Sequence, residues 1–153
     1  MRLASSLALI AAMATAACAA DPAGPGGPSP SAGNGNDCAV IAAVAKEHYR
    51  FNTTDRLPPP LRLTDGSRTW ALRCDWNRYG LSFPRTFDPA TRPEPGKPVQ
   101  WVQFDKPVYD GRGATVASGI LHGPLAGMGV ECRVVSGFAG WTLAGQCRNT
   151  WIS

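Results

Sequence analysis

Four cysteines, Cys38, Cys74, Cys132 and Cys147, stand far apart along the chain, and the segment ahead of them decides their chemistry. Arg2 and the α-amino group give a small positive start, Leu3 to Ala14 is apolar apart from Ser5 and Ser6, and small residues follow through Ala20. A basic start, a short apolar run and a small-residue cleavage zone make up a secretory signal, so residues 1–17 are expected to direct export and then be removed. The apolar run is too short and alanine-rich to anchor as a spanning helix, and no second run is long enough to cross a bilayer. An exported chain folds where thiols oxidise, so the four cysteines are expected to form two disulfides. A zinc site is the rival use for them. None has a C-x-x-C neighbour and only His48 and His122 could complete a ligand set, so neither a metal nor another cofactor is expected.

The fifth cysteine belongs to the cleavage zone. Thr15-Ala16-Ala17-Cys18 resembles the lipobox of bacterial lipoproteins, with Thr15 where Leu is usual, and this resemblance implies lipidation of Cys18. Ordinary cleavage after Ala19 or Ala20 is the alternative, because Ala17-Cys18-Ala19 also fits the Ala-x-Ala pattern. Residues 18–36 carry Pro, Gly, Ser, Ala and Asn with no large apolar side chain, too little to bury for folding, and read as a flexible tether. A spacer after a lipidated cysteine would hold a domain off a membrane. The expected location is therefore the periplasm or an outer-membrane anchor, with secretion if Cys18 is excised, and residues 37–153 are expected to form one domain. The net charge of +4 comes mostly from arginines scattered singly between Arg50 and Arg148, which excludes a clustered nucleic-acid footprint.

The expected fold is α+β, with one N-terminal helix packed on a curved antiparallel sheet of four to five strands in meander order, braced by two disulfides. Asp37 can start a helix over Cys38 to Phe51, where Ile41, Val44, His48 and Phe51 share a face with Val40 beside them. Pro58-Pro59-Pro60 stops any continuation, and the chain to Gly66 reads as irregular or extended. Thr69 to Trp76 alternates strictly, placing Trp70, Leu72, Cys74 and Trp76 on one side, and reads as a strand. Residues 77–98 read as a long surface excursion. The meander runs through residues 99–105, 114–121 and 130–135, and a tight turn at Gly137-Phe138-Ala139-Gly140 leads into a last strand, Trp141–Ile152. If that turn centres on Ala139-Gly140, Cys132 faces Cys147 and Cys38 is left to pair with Cys74; other connectivities stay open.

Phe104-Asp105-Lys106-Pro107-Val108-Tyr109, Gly123-Pro124-Leu125-Ala126-Gly127 and the ending Trp151-Ile152-Ser153 carry a resemblance. From Phe104 onward the chain is similar to a group of small bacterial secreted or lipoprotein-type proteins of uncharacterised function, with F-D-x-P-x-Y, G-P-L-x-G and W-I-S in the same order. The resemblance implies an α+β domain with a curved antiparallel sheet, broadly of cystatin or nuclear-transport-factor-2 shape, and no activity.

Candidate sites are few. Gly123 to Gly129 lacks the Lys-Ser or Lys-Thr and the helix of a phosphate cradle, so it reads as a hairpin connection. Glu47 and His48 are adjacent on a helix and point apart. His122 ends a strand beside a glycine-rich loop, where Asp105 or Asp110 could approach it, but no G-x-S-x-G nucleophile motif accompanies it. Trp70, Trp76, Trp141 and Trp151 fall on expected core faces, whereas Trp101 breaks the alternation and is the aromatic expected to line a pocket or contact surface. His122 and Trp101 are thus the binding candidates, and no catalytic residue is expected. The sequence points to a non-enzymatic envelope protein that binds another envelope protein or a ligand, one version being an inhibitor of an extracellular hydrolase through residues 122–129 or 77–98. The alternative is a small-molecule binder or enzyme with a pocket between helix and sheet. Intact-mass measurement of the membrane-extracted protein should show a chain beginning at acylated Cys18; an unmodified start at Ala20 or Asp21 would make it a secreted protein instead.

Overall fold

The computed structural model describes residues 36–91 and 95–153. The export signal, Cys18 and the tether as far as residue 35 lie outside the described residues. The chain forms helix α1 (Asp37–Glu47), strands β1 (Leu61–Asp65) and β2 (Arg68–Thr69), a 3-10 turn (Trp76–Tyr79), and strands β3 (Trp101–Asp105), β4 (Val108–Tyr109), β5 (Ala114–Gly123), β6 (Ala126–Gly137), β7 (Gly140–Leu143) and β8 (Arg148–Ile152).

The fold is α+β with two disulfides, as expected, but the sheet has eight strands and is mixed. Its order is β2-β1-β3-β5-β6-β7, with β4 extending along β5 and β8 along β6. Strand β1 runs parallel to β3, with Leu61 opposite Val102 and Leu63 opposite Phe104. Only five residues long and preceded by three prolines, β1 gave too short an alternation to mark a strand, yet Leu61 and Leu63 are both buried. A parallel neighbour needs a long crossover, and residues 66–100 supply it.

That crossover is where the expected strand Thr69–Trp76 lies. The burial alternates as anticipated: Trp70, Leu72, Cys74 and Trp76 are half-buried while Thr69, Ala71, Arg73 and Asp75 are exposed. Ladder pairing nevertheless ends at Thr69. Beyond it the chain is an extended strap that packs its alternate side chains on the helix, fixed there by the Cys38–Cys74 disulfide with a Cα separation of 5.7 Å. Period-two patterning reports an extended chain with one covered face, and a helix can cover that face as well as a sheet can. The strap explains why α1 is buried almost all round, from Asp37 to Ala45, rather than along one stripe. Val40, Ile41 and Val44 have no exposure, and they meet Val102, Phe104, Val116, Val130 and Val134 from the sheet in one core.

At the helix end Arg50 takes a left-handed backbone (φ 62°), and the Phe51 N–H donates to the carbonyl of Ala45 at 3.0 Å. This turn brings Tyr49 and Phe51 into the core, where their rings stack at 5.3 Å.

The expected last strand is two. The β6–β7 hairpin turns through Phe138-Ala139, pairing Gly137 with Gly140 and Val134 with Leu143. Continued without interruption, that register would set Cys132 opposite Gly145. Residues 144–147 break the ladder, and when it resumes Glu131 pairs Arg148 and Val130 pairs Asn149, which brings Cys147 alongside Cys132. Their disulfide spans 4.3 Å between Cα atoms, close to the spacing of a non-hydrogen-bonded antiparallel pair.

One further irregularity, between Gly129 and Val130, matters more. Asn149 faces Val130 but Trp151 faces Gly129, so Thr150 is an extra residue. A one-residue slip sends the following side chains to the other face of the sheet. Trp151, expected in the core, therefore lies on the outer face and is 41% exposed. The sequence accommodates it with glycines: a Cβ on Gly129 would stand inside the Trp151 indole, and Cβ atoms on Gly119 and Gly127 would each come to 3.0 Å from the same ring. Gly129→Ala should cost about 2 kcal/mol in urea unfolding through overpacking. In a Trp151→Ala background that cost should shrink to roughly 0.5 kcal/mol or less, and an equal cost in both backgrounds would rule out the packing account.

Candidate functional site

The two sequence-nominated residues fall at the same end of the sheet but do not form one catalytic group. In β3, Val102 and Phe104 point into the core, so Trp101, Gln103 and Asp105 point outward. The alternation is regular once its phase is set by Phe104. Trp101 pairs with Leu121 across β3 and β5, and the Gln100 side-chain N–H donates to the His122 carbonyl at 3.2 Å. The His122 ring itself is exposed and has no hydrogen-bonding partner among the described residues.

The carboxylates once considered for His122 are engaged elsewhere. Asp105 accepts bonds from the Thr64 hydroxyl and, at 2.8 Å, from the Gln103 amide. Asp110 accepts from Arg133 at 2.8 Å and from the Arg112 N–H at 3.0 Å, and these contacts lower its pKa to about 2. Both belong to the opposite end of β5 from His122, since β3 runs antiparallel to β5 and Phe104 already faces Ser118. A His–carboxylate pair therefore does not form.

Glu47 and His48 also resolve into structural roles. The Glu47 carboxylate accepts the Leu143 N–H at 3.0 Å and so ties the helix end to β7. His48 lies against Tyr49, ring centroids 4.7 Å apart, and burial lowers its pKa. Its ring nitrogens come within 4.8 Å of the sulfurs of Cys132 and Cys147, the one such three-residue group among the described residues. Those sulfurs are bonded to each other, so neither offers the thiolate that a metal requires.

A groove opens beside Trp101. Its volume is about 690 Å³, and its walls include Pro60, Arg62, Arg85, Phe87, Pro98 and Trp101. This is within the size range of small-ligand sites. It lies on the outer face, at the β1–β3 edge, and its lining includes no residue of the helix. Backbone bonds fix one wall: Leu61 N–H donates to the Arg85 carbonyl at 2.9 Å, and Phe87 N–H donates to the Leu61 carbonyl at 2.7 Å. The Arg62 guanidinium stands 5.9 Å above the Trp101 ring, and Phe87 tilts against the same ring at 6.4 Å. Trp101 also borders Gly119, the residue that Trp151 overhangs, so the aromatic surface continues from the groove across the sheet.

Buried polar pairs hold the rest of the frame. The Tyr49 and Ser118 hydroxyls meet at 2.9 Å, and Ser118 donates to the Gln103 carbonyl at 2.9 Å. Tyr109 donates to the buried Asp37 at 2.6 Å, joining β4 to the start of the helix.

No protein-family model matches the chain, and neither a curated protein nor a solved structure matches it.

Of the groove's lining, the sequence nominates Trp101 and, as part of the stretch 77–98, Arg85 and Phe87, but not Arg62, which comes from the unexpected strand β1.

All three tyrosines titrate above their ordinary value of 10, Tyr109 furthest, through burial first and then through the bond to Asp37 and its charge; burial is also the leading cause at Tyr49 and Tyr79. A raised folded-state pKa contributes stability that is intact below pH 10 and is lost as pH climbs through the folded pKa. Phenolate absorbance should therefore appear at higher pH in the native protein than in the unfolded chain, and rise with alkaline unfolding. Tyr109→Phe should lower stability by about 1–3 kcal/mol at neutral pH by leaving Asp37 without its donor, and should flatten the decline above pH 10.

Proposed function

We propose that this protein is an exported, non-enzymatic recognition domain that engages an envelope component through the groove at Trp101. The observation that supports the reading is the groove itself: about 690 Å³, with Trp101 and Phe87 leaning together in its lining and left open by the described residues. Recognition is favoured over catalysis because His122, the one exposed histidine beside the groove, has neither a carboxylate nor a nucleophile against it among the described residues. Two disulfides fit an oxidising compartment, and no described helix is long and apolar enough to cross a membrane. Attachment through acylated Cys18 and the 18–36 tether would place the domain at a membrane surface, in the periplasm or on the outer membrane.

A second reading has its own observation. Leu125 sits at the tip of the β5–β6 hairpin, 88% exposed, with a left-handed backbone (φ 58°) that a leucine tolerates poorly. A strained, projecting side chain suits insertion into a partner's apolar pocket, as an inhibitor of an extracellular hydrolase would require.

One experiment separates these readings. A photoreactive phenylalanine analogue at Thr86, in the groove wall, should crosslink a discrete envelope component in intact cells, and Trp101→Ala should suppress the adduct. The same analogue at Thr142, exposed on β7, should give none. Adducts from Ala126 and none from Thr86 would move the site to the hairpin tip, and no adduct from any position would reject a recognition role.

A further inference from the structure

We infer that the groove recognises an acidic saccharide, one whose sugar ring lies on the Trp101 and Phe87 faces while its carboxylate or phosphate meets Arg62 and Arg85. The inference rests on the recognition reading above and specifies its ligand.

Arg62 and Arg85 line the groove, and among its described lining residues Asp88 is the carboxylate. Asp88 is occupied in its own turn, accepting the Ala90 N–H at 2.9 Å and the Thr91 hydroxyl at 3.0 Å. The guanidinium of Arg85 makes no ion pair or hydrogen bond with a described residue, and that of Arg62 is engaged only over the Trp101 ring. A guanidinium presents a planar fork of donors suited to two oxygens of one carboxylate or phosphate. Two such groups lining one groove, with no carboxylate acceptor among the described residues, suit an anion.

The aromatic walls say what else the ligand carries. A free inorganic anion would need no indole face, and a long aliphatic chain would need an enclosed apolar channel, whereas this groove has charged groups along its rim. A pyranose ring has a C–H face that packs on an indole and a hydroxylated edge that accepts donors such as Gln100. Its size agrees, because the volume accommodates one or two sugar rings. The exposed part of Trp151 beyond Gly119 extends the aromatic surface in the direction a longer glycan would take.

The walls are also held before any ligand arrives. Pro60, Pro89 and Pro98 restrict the backbone around the groove, and the Arg62 guanidinium swings from over Trp101 to meet the acidic group. Less ordering is then required on binding.

The test uses the oxidised protein and three probes: a glucuronic-acid-containing disaccharide, glucose 6-phosphate, and the neutral disaccharide matched to the first. The Trp101 indole N–H resonance, assigned by its loss in Trp101→Phe, is followed by NMR as each is added. An acidic probe should shift it saturably and bind about tenfold or more tightly than the neutral disaccharide, and Arg85→Gln should remove about tenfold of that affinity. Preference between the first two probes identifies carboxylate or phosphate as the acidic group. Equal binding of the neutral and acidic disaccharides would overturn the inference while leaving the groove a recognition site. No shift with any probe, alongside a retained Thr86 crosslink, would overturn the saccharide assignment and leave the recognition reading standing. Native spectra of Arg85→Gln, an exposed position, guard against misfolding as the cause of lost binding.

Discussion

The enclosure of helix α1 governs where everything else in this protein can be. Asp37 to Ala45 is buried on nearly every side, by the sheet below and by the strap of residues 70–83 above. Helices that are apolar all round belong in interiors, and this one is built largely of Ala and Val, small enough to be closed in by two layers. Cys38 in its first turn is bonded to Cys74 in the strap, so the upper layer is covalently held where a sheet would have been held by ladder hydrogen bonds. With the helix side of the sheet filled, a binding surface is left to the outer face, and that is where the groove, Trp101 and Trp151 lie.

The outer face has a packing logic of its own. Trp151 reaches it by the extra residue Thr150, and can lie flat because Gly119, Gly127 and Gly129 present no Cβ beneath it. The glycine-rich hairpin and the tryptophan near the chain end are thus complementary parts of one contact, and backbone bonds between Gly127 and Ser153 in both directions close it. The stretch Phe104 to Tyr109 is likewise explained by contacts: Phe104 fills the core, Asp105 receives Thr64 and Gln103, and Tyr109 reaches Asp37. These short runs hold the sheet to its neighbours on both faces, which is a structural reason for their chemistry and assigns no activity to them.

Much of the fold could be read from the residues because the relevant signals were local. The helix and the central strands β3, β5 and β6 follow from short-range periodicity, whereas Cys147 meets Cys132 through a ladder break rather than the hairpin register expected. What escaped was decided by register and by long crossovers. Alternation at Thr69 to Trp76 gave the right buried residues and the wrong partner, since a pattern of faces says nothing of which layer covers them. Trp151 was placed on the wrong side by one inserted residue, a difference that leaves no trace in hydrophobic pattern. Strand β1 pairs in parallel with a segment forty residues away, an encounter that local sequence does not encode. The candidate site inherits both outcomes: Trp101 lies on a locally readable strand, while Arg62 and Arg85 reach it only through β1 and the crossover.

The division of the molecule into a filled side and an open side also bears on what kind of function it can sustain. Inside the frame, Tyr49 with Ser118 and Tyr109 with Asp37 are polar pairs that join one element to another. On the outer face, the Arg62 guanidinium stands over Trp101 and that of Arg85 has no ion pair or hydrogen bond with a described residue, cationic donors that suit the proposed binding of an anion. An open groove of this kind, if it serves the recognition proposed, would bind modestly by itself. Rigidity from the two disulfides and the prolines offsets part of that weakness by reducing what must be ordered on binding, so the bracing of the fold and the recognition proposed for it draw on the same structural feature.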